Sequence, residues 1–289
     1  MPSLKALRSR IGSVKSTQKI TSAMKMVAAS KLRRAQAAAE AARPYNARLR
    51  QMLATVAPPA VGNPLAPTLL LGTGREQVHV LVVVTADRGL AGAFNASVVR
   101  LARARARELA SQGKTVKIFA LGRKGREALR REFAAGMVGT SPTPSRGTIG
   151  FAEAESVAAE LLAMLEGGSL DVCSMIYNRF RSVISQRPVE EQLIPYERPP
   201  APEMEPAPVE SEPEDEVLAR LLPHFVAAEI HRARLESAVG FFGAQMTAMD
   251  SATRNAGDMI KRLTLNYNRA RQANITKELI EIISGAEAV

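Results

Sequence analysis

Tryptophan is absent from these 289 residues, and aromatic side chains make up only 4%. An all-β sandwich is disfavoured on that ground, because pleated, half-buried surfaces draw on aromatic and β-branched side chains. There is one cysteine, Cys173, so an intrachain disulfide framework and a cysteine-based zinc site are both excluded. It lies in the apolar run 172–177 and reads as a small buried hydrophobe in a strand. The three histidines, His79, His224 and His231, are scattered without a clustered third ligand and read as packing or surface residues. No apolar run is long enough to span a bilayer, and no secretory hydrophobic segment is present. The N-terminus is arginine-rich and acid-poor, as transit peptides are, yet it keeps a heptad seam for about 50 residues and is read as a functional helix. Neither G-x-G-x-x-G nor a P-loop occurs, and no spacing marks a nucleophile elbow or a metal site. No catalytic residue, cofactor-binding residue, metal ligand or cofactor is therefore expected.

What is present is alanine, apolar residues at 46%, and a formal net charge of +11. The charge is not spread evenly. Twelve Lys/Arg between Lys5 and Arg50, against the single acid Glu40, hold all of it, and the remainder of the chain is neutral. One basic element with an electrostatic task fits this better than a generally polyanion-binding protein.

Ser3 is a plausible N-cap for helical sequence running to about Val56, interrupted only by Gly12 and Pro44. A 3-4 spacing selects Leu4, Leu7, Ile11 and Val14, then the polar Gln18, Thr21 and Lys25, then Ala28, Leu32 and a run of alanines. Such a helix would extend roughly 80 Å, too long for one member of a compact bundle. Pro58 and Pro59 are expected to break it. His79 to Val84 then reads as a strand buried on both faces, followed by the glycine-containing loop 85–92. Helices are expected from an Asn95 cap to Gln112, from Arg123 to Ala134 and from Phe151 to Leu165. Strands are expected over Thr115–Leu121, Asp171–Tyr177, Phe180–Ser185 and Val189–Ile194, the last two as an edge hairpin. This alternation predicts a Rossmann-like α/β domain with a largely parallel sheet.

Residues 188–213 hold eight of the 17 prolines, and ten acids fall between Glu190 and Glu216, so this stretch reads as a solvated connector. Helical periodicity returns afterwards, with a seam through Leu235, Phe242, Met249, Met259, Leu263 and Ile280. The predicted organisation is a coiled-coil helix over 1–57, an α/β domain over 75–195, the connector over 196–213 and a second coiled-coil helix over 214–289. The terminal helices can shield their stripes only against each other, as an antiparallel two-helix coiled coil. A seam of small residues buries little area, so a surrounding partner is expected to supply the missing burial.

The end segments carry a resemblance. Residues 17–31, Thr-Gln-Lys-Ile-Thr-Ser-Ala-Met-Lys-Met-Val-Ala-Ala-Ser-Lys, resemble the N-terminal signature of the gamma-subunit family of F-type ATP synthases, bacterial type. Residues 267–289 are similar to that family's C-terminal signature, and Asp87-Arg-Gly-Leu-Ala-Gly92 to its central Asp-Arg-Gly-Leu-Cys-Gly loop. The resemblance implies a central-stalk rotor, one copy per complex and not itself an enzyme, coupling proton-driven rotation of a c ring to ATP synthesis and hydrolysis. Its partners would be three alpha and three beta subunits, an epsilon subunit and the c ring, with no nucleic acid. Its place would be peripheral, on the cytoplasmic face of the bacterial plasma membrane. Residue by residue, the resemblance assigns ring contacts to Met24 and Lys25, with Lys31, Arg33 and Arg34 continuing the basic face, and to Arg271, Gln272, Thr276 and Glu278. It places Ile280, Ile282 and Ile283 in an apolar bearing. Gln245 stands where the family usually has arginine, Arg254 where it has aspartate, and Ala91 where it has the loop cysteine. The paired-cysteine insert of chloroplast members is absent, so thiol regulation is not expected.

Two other functions fit parts of the sequence. A basic coiled-coil adaptor could bind nucleic acid through phosphate neutralisation, although no aromatic platform interleaves with the charges. A nucleotide-using α/β enzyme could place phosphate at the loop after the first strand, although that loop lacks the motif.

Overall fold

The computed structural model describes residues 3–60, 68–141, 149–196 and 214–287. The elements in chain order are α1 (Leu4–Ala60), α2 (Thr68–Leu71), β1 (Val78–Val84), α3 (Phe94–Ser111), β2 (Thr115–Leu121), α4 (Arg123–Phe133), β3 (Met137–Ser141), α5 (Phe151–Glu166), β4 (Val172–Ser182), β5 (Ser185–Ile194) and α6 (Glu214–Glu287). All but Tyr196 of the expected connector lies outside the described residues. The chain divides into two compact units, Met1–Ala29 with Gln245–Val289, and Ser30–Ala244.

The second unit is built on β1. Side chains alternate across a strand, so Val80, Val82 and Val84 enter one core while Leu81 and Val83 enter another. A strand buried on both faces needs a neighbour on each edge for its peptide groups. β2 and β4 supply these, both parallel to β1. β3 extends the sheet beyond β2 in parallel, and β5 closes the other side antiparallel to β4, giving the order β3-β2-β1-β4-β5. α3 and α4 cover one face through Val98, Ala102, Ala106 and Leu129. α5 and α6 cover the other through Val157, Leu161, Val226 and Ile230. A smaller cluster joins Leu49 and Leu53 of α1 to Leu70 of α2 and to Leu218, Leu222 and Phe225 of α6.

Several local expectations are revised. β4 runs unbroken to Ser182 rather than ending at Tyr177. Asn178 and Arg179 interrupt the apolar run, but their polar groups are satisfied by α3 and β5. Asn178 Nδ2 donates to the Phe94 carbonyl at 2.8 Å, its Oδ1 accepts from Ser97 Oγ at 3.2 Å, and Arg179 pairs with Glu191. β3 is a strand where none is expected, a short segment of five residues broken by Gly139. Gly139 lets it lie against the Phe119 ring, where a Cβ would fall only 2.1 Å from a ring carbon. Asn95 is not the cap of α3, which begins at Phe94; its side chain instead accepts from the Ala86 N–H and donates to the Arg88 carbonyl, clamping the loop after β1. α1 continues through Pro44 and on to Ala60 rather than stopping before Pro58. α6 likewise continues through Pro223. An interior proline costs a helix about 3 kcal/mol. Burial of Leu49 and Leu53 in α1, and of Leu218, Leu222 and Phe225 in α6, anchors helical turns on or beside these positions.

One buried carboxylate fixes the entry to β1. Asp171 is 1% exposed and accepts from the N–H groups of Val78 and Gln77 at 2.9 and 3.0 Å and from Thr73 Oγ1 at 2.8 Å, with Arg75 at 3.6 Å. Burial by itself would raise this carboxyl, but these donors outweigh it and hold the group below the ordinary carboxylate range. The stabilisation is therefore complete above about pH 4, the unfolded aspartate value, and is lost as pH falls through the lower folded value. Asp171→Asn is expected to cost about 1–3 kcal/mol at pH 7. Urea titrations at stepped pH should show the gap between wild type and variant closing in strong acid.

Candidate functional site

In the unit Met1–Ala29 with Gln245–Val289, α1 and α6 lie antiparallel. Lys25 Nζ meets Asp250 Oδ1 at 2.6 Å, Thr253 Oγ1 donates to Thr21 Oγ1 at 2.8 Å, and a Cβ on Gly257 would stand 3.1 Å from Gln18 Nε2. Partner numbers fall on α6 as they rise on α1. The polar middle of the α1 stripe is thus part of the seam, with hydrogen bonds where larger side chains would separate the helices. Ala28, Met249 and Ala256 are buried apolar residues beside this polar stretch. Asp250 is held below its ordinary range by the Lys25 hydrogen bond, against a burial effect, with help from the Arg254 and Lys25 charges. Arg254, the departure from the family pattern, meets Asp250 at 2.9 Å and so brackets it opposite Lys25.

Leu7 is buried, and Leu4, Ile11, Val14 and Leu263 are half-buried. Met259 is 51% exposed, while its neighbour Ile260 is half-buried. The period-3.5 stripe expected through Met259 therefore passes through Thr253 and Ile260 at its alternate positions. Continuing the register sets Leu4, the first residue of α1, across from about Arg271. Beyond that point α6 has no α1 residue opposite it. Arg271, Gln272, Thr276 and Glu278 are exposed, as are Ile280, Ile282 and Ile283 at 57, 70 and 54%. Ile280, expected in the seam, thus lies past the end of the pairing. Met24 is half-buried on α1, whereas Ile20, Met26 and Val27 beside it are exposed. These last three were missed by the seam pattern because they lie on the outer face.

In the unit Ser30–Ala244, Lys31 Nζ stands 5.6 Å over the Phe242 ring, Leu32 and Leu235 are buried, and Arg33 and Arg34 are exposed. The loop 85–92 closes over Phe94 and Phe241, with Ala91 buried in the place of the family's cysteine. Leu90 is exposed and has φ of +62°, a left-handed conformation unusual for leucine. Beside it, a cleft of about 400 Å³ at the carboxyl ends of β1 to β3 is lined by Asp87, Arg88, Gly122, Arg123, Arg126 and Ser141 among others. The N–H groups at the start of α4 face this region, but they are already committed. Arg123 N donates to Asp87 Oδ1 at 2.6 Å, Lys124 N to the Ala86 carbonyl at 3.1 Å, and Gly125 N to Thr85 Oγ1 at 2.8 Å. Asp87 occupies the position an incoming phosphate would need. Gly122, at φ +100°, permits this turn, since a Cβ there would lie 2.1 Å from the Thr85 carbonyl oxygen. Among the described residues no group of three or more His, Cys, Asp or Glu could hold a metal ion, and no helix is long and apolar enough to cross a membrane.

These features define the class: an α/β protein whose terminal helices pair antiparallel and leave apolar residues uncovered on their outer faces and at the C-terminal end. The sequence model of the ATP synthase family matches residues 3–289. The ATP synthase gamma chain of Granulibacter bethesdensis is 57% identical over 298 aligned positions, and that of Nitrobacter hamburgensis 58% over 292, each alignment covering all of both chains. Among solved structures, a chain of the Euglena gracilis mitochondrial ATP synthase in rotational state 3 superposes with a TM-score of 0.65 at 18% identity, covering 99% of this chain and 94% of that one. A chain of the Tetrahymena thermophila central stalk and c ring gives 0.59 at 24% identity, covering 81% and 99%. The superpositions show a shared fold, and the sequence relationships show the family: the chain belongs to the ATP synthase gamma chains. The nucleic-acid-binding alternative finds no support in any of these relationships.

Asp87→Ala should leave the α4 first turn short of an acceptor and lower stability by about 1 kcal/mol, the usual cost of losing a helix cap. Amide exchange at Arg123 should quicken while exchange in β1 stays slow.

Proposed function

We propose that this chain is the central-stalk rotor of an F-type ATP synthase, transmitting proton-driven rotation of a c ring to a hexamer of three alpha and three beta subunits. It has no catalytic role of its own, binds the epsilon subunit and c ring through its α/β domain, and lies peripherally on the cytoplasmic face of the bacterial plasma membrane. The observation that carries this reading is the antiparallel helix pair with an α6 end that outruns its partner helix. A shaft turning inside a collar needs outer faces its own chain does not cover, and weak adhesion at any one angle. Exposed Ile20, Met26 and Val27, and the isoleucines near the α6 end, supply an apolar but shallow surface.

Met24, Lys25, Lys31, Arg33 and Arg34 are the α1 residues that meet the ring, and Arg271, Gln272, Thr276 and Glu278 their counterparts on α6. Arg33 and Arg34 are poised for acidic loops. Lys25 can serve only by sharing or releasing Asp250. Ile280, Ile282 and Ile283 form the bearing. Each catalytic subunit changes state because the turning shaft presents different contacts to it at each angle, a population shift driven by differential binding.

Co-purification with a hexameric ATPase tests the assignment directly, and a chain that never associates with one would overturn it. Met24→Lys should lower ATP yield per proton more than it lowers assembly, because it adds a charge at the ring contact; an unchanged yield counts against the contact. Removing the last few residues should be milder than Leu263→Asp, which buries a charge between the paired helices. Equal and total loss from both would contradict the division between bearing and seam.

A further inference from the structure

Resting on the rotor reading, a second question is how turning load passes from the sheet into the helices. The apolar face of α6 against the sheet is made of Val226, Ala227, Ile230 and Ala233. Such packing resists separation, but it is non-directional and its small residues form low ridges, so by itself it opposes sliding weakly. Within the unit Ser30–Ala244 the same stretch carries a second kind of contact. All three guanidinium nitrogens of Arg232 are engaged. Nε donates to Glu229 Oε2 at 2.8 Å, Nη2 to Glu191 Oε2 of β5 at 2.6 Å, and Nη1 to the Tyr177 hydroxyl of β4 at 2.9 Å and to Glu236 Oε1 at 3.1 Å. Glu229 is in turn gripped by both arms of Arg50 of α1, at 2.8 and 2.7 Å. Glu191 also accepts from Tyr177 Oη at 3.1 Å and pairs with Arg179. One connected chain of charge-assisted bonds thus runs from α1 through α6 to β5 and β4.

We propose that this Arg232-centred network is the torsional key of the rotor, locking α6 and, through Glu229 and Arg50, α1 to the sheet so that load enters the helices without slip. Planar, forked guanidinium–carboxylate bonds fix orientation as well as distance. A network of this kind is poor evidence for stability, since well-packed apolar replacements of buried ion pairs are often neutral. Its value lies in geometry. A second support lies further along α6. A Cβ at Gly243 would stand 3.3 Å from the Val183 carbonyl oxygen in the β4–β5 turn, and one at Gly240 3.0 Å from the Phe94 ring. Arg232 and Gly243 are about 16 Å apart along the helix. A helix held at one place can pivot; held at two separated places, it cannot.

The test uses the whole reconstituted ATP synthase carrying E191M/R232M, a charge-neutral replacement that leaves the Arg50–Glu229 pair in place. R232K is the second variant, keeping the charge but not the fork. A rod is attached through R130C on the exposed face of α4, because the native Cys173 is buried. With the hexamer halted, the mean-square angular displacement of the rod should rise about twofold in both variants, as when one of two supports is removed. Unloaded ATP hydrolysis should stay near wild type while the ATP yield per proton falls. Val98→Ala, a core truncation in α3 on the opposite sheet face and away from the rod's attachment, is the control and should lower thermal stability without widening the rod's motion. Unchanged angular variance in E191M/R232M overturns the proposal, whatever happens to its melting temperature. Widening by Val98→Ala to the same degree also overturns it, since general softening would then explain the effect. If the wild-type chain neither assembles nor rotates, the rotor reading itself has failed, and that outcome is separate from any variant result.

Discussion

The face that α6 must bury is the constraint on which the rest of the structure depends. α6 is 74 residues long, and its buried apolar residues run from Leu218 to Ala256. Isolated helices in water gain little from propensity alone, so each stretch needs something packed against it. In the unit Ser30–Ala244 that cover is the sheet, α5 and α1; among the described residues of the other unit it is α1. Past the start of α1, nothing among the described residues covers α6, and its apolar residues there are exposed. The same requirement accounts for the small seam. Thr21, Ala28, Ala256 and Gly257 let two backbones approach closely, and hydrogen bonds from Thr253 and Lys25 hold the register where bulk would push them apart.

Charge is used differently in different places. On α1 most cations are exposed, and among the described residues only Lys25 and Arg50 form ion pairs, which suits a surface meant for partners. Between α6 and the sheet, charge is turned inward. Burial by itself would raise the Glu229 carboxyl, but Arg50 and Arg232 outweigh it and hold the group below the ordinary range. Arg232 is kept firmly protonated by the acids and the tyrosine around it, against burial. Arg234 of the same helix is almost wholly buried and pairs with Glu153 of α5. This interior use of arginine was not visible in a net-charge count, because each cation is cancelled by a carboxylate distant in sequence.

The loop after β1 shows how a site can resemble a phosphate cradle without being one. Its position, at the carboxyl ends of parallel strands and ahead of a helix, is the place where nucleotides bind in related sheets. Here Asp87, Ala86 and Thr85 take up the N–H groups at the start of α4, and Asn95 ties the loop to α3. The backbone donors are spent on holding the turn.

Local pattern alone determined the long terminal helices, the double-sided strand His79–Val84, the alternation of strands and helices, and the three helices α3, α4 and α5 to within a residue or two. These follow from periodicity and propensity, which act over a few neighbouring residues. The two family signatures likewise lie in continuous stretches, so family membership was legible without any contact being known. Tertiary structure decided the rest. The continuation of β4 through Asn178 and Arg179 depended on acceptors and donors in α3 and β5. β3 depended on room beside Phe119, and the choice of Ile260 over Met259 on where α1 stands. The Arg50–Glu229–Arg232–Glu191 chain joins residues up to 179 positions apart. A sequence fixes which groups must be satisfied or covered; only the folded chain brings the distant groups that do so within bonding distance.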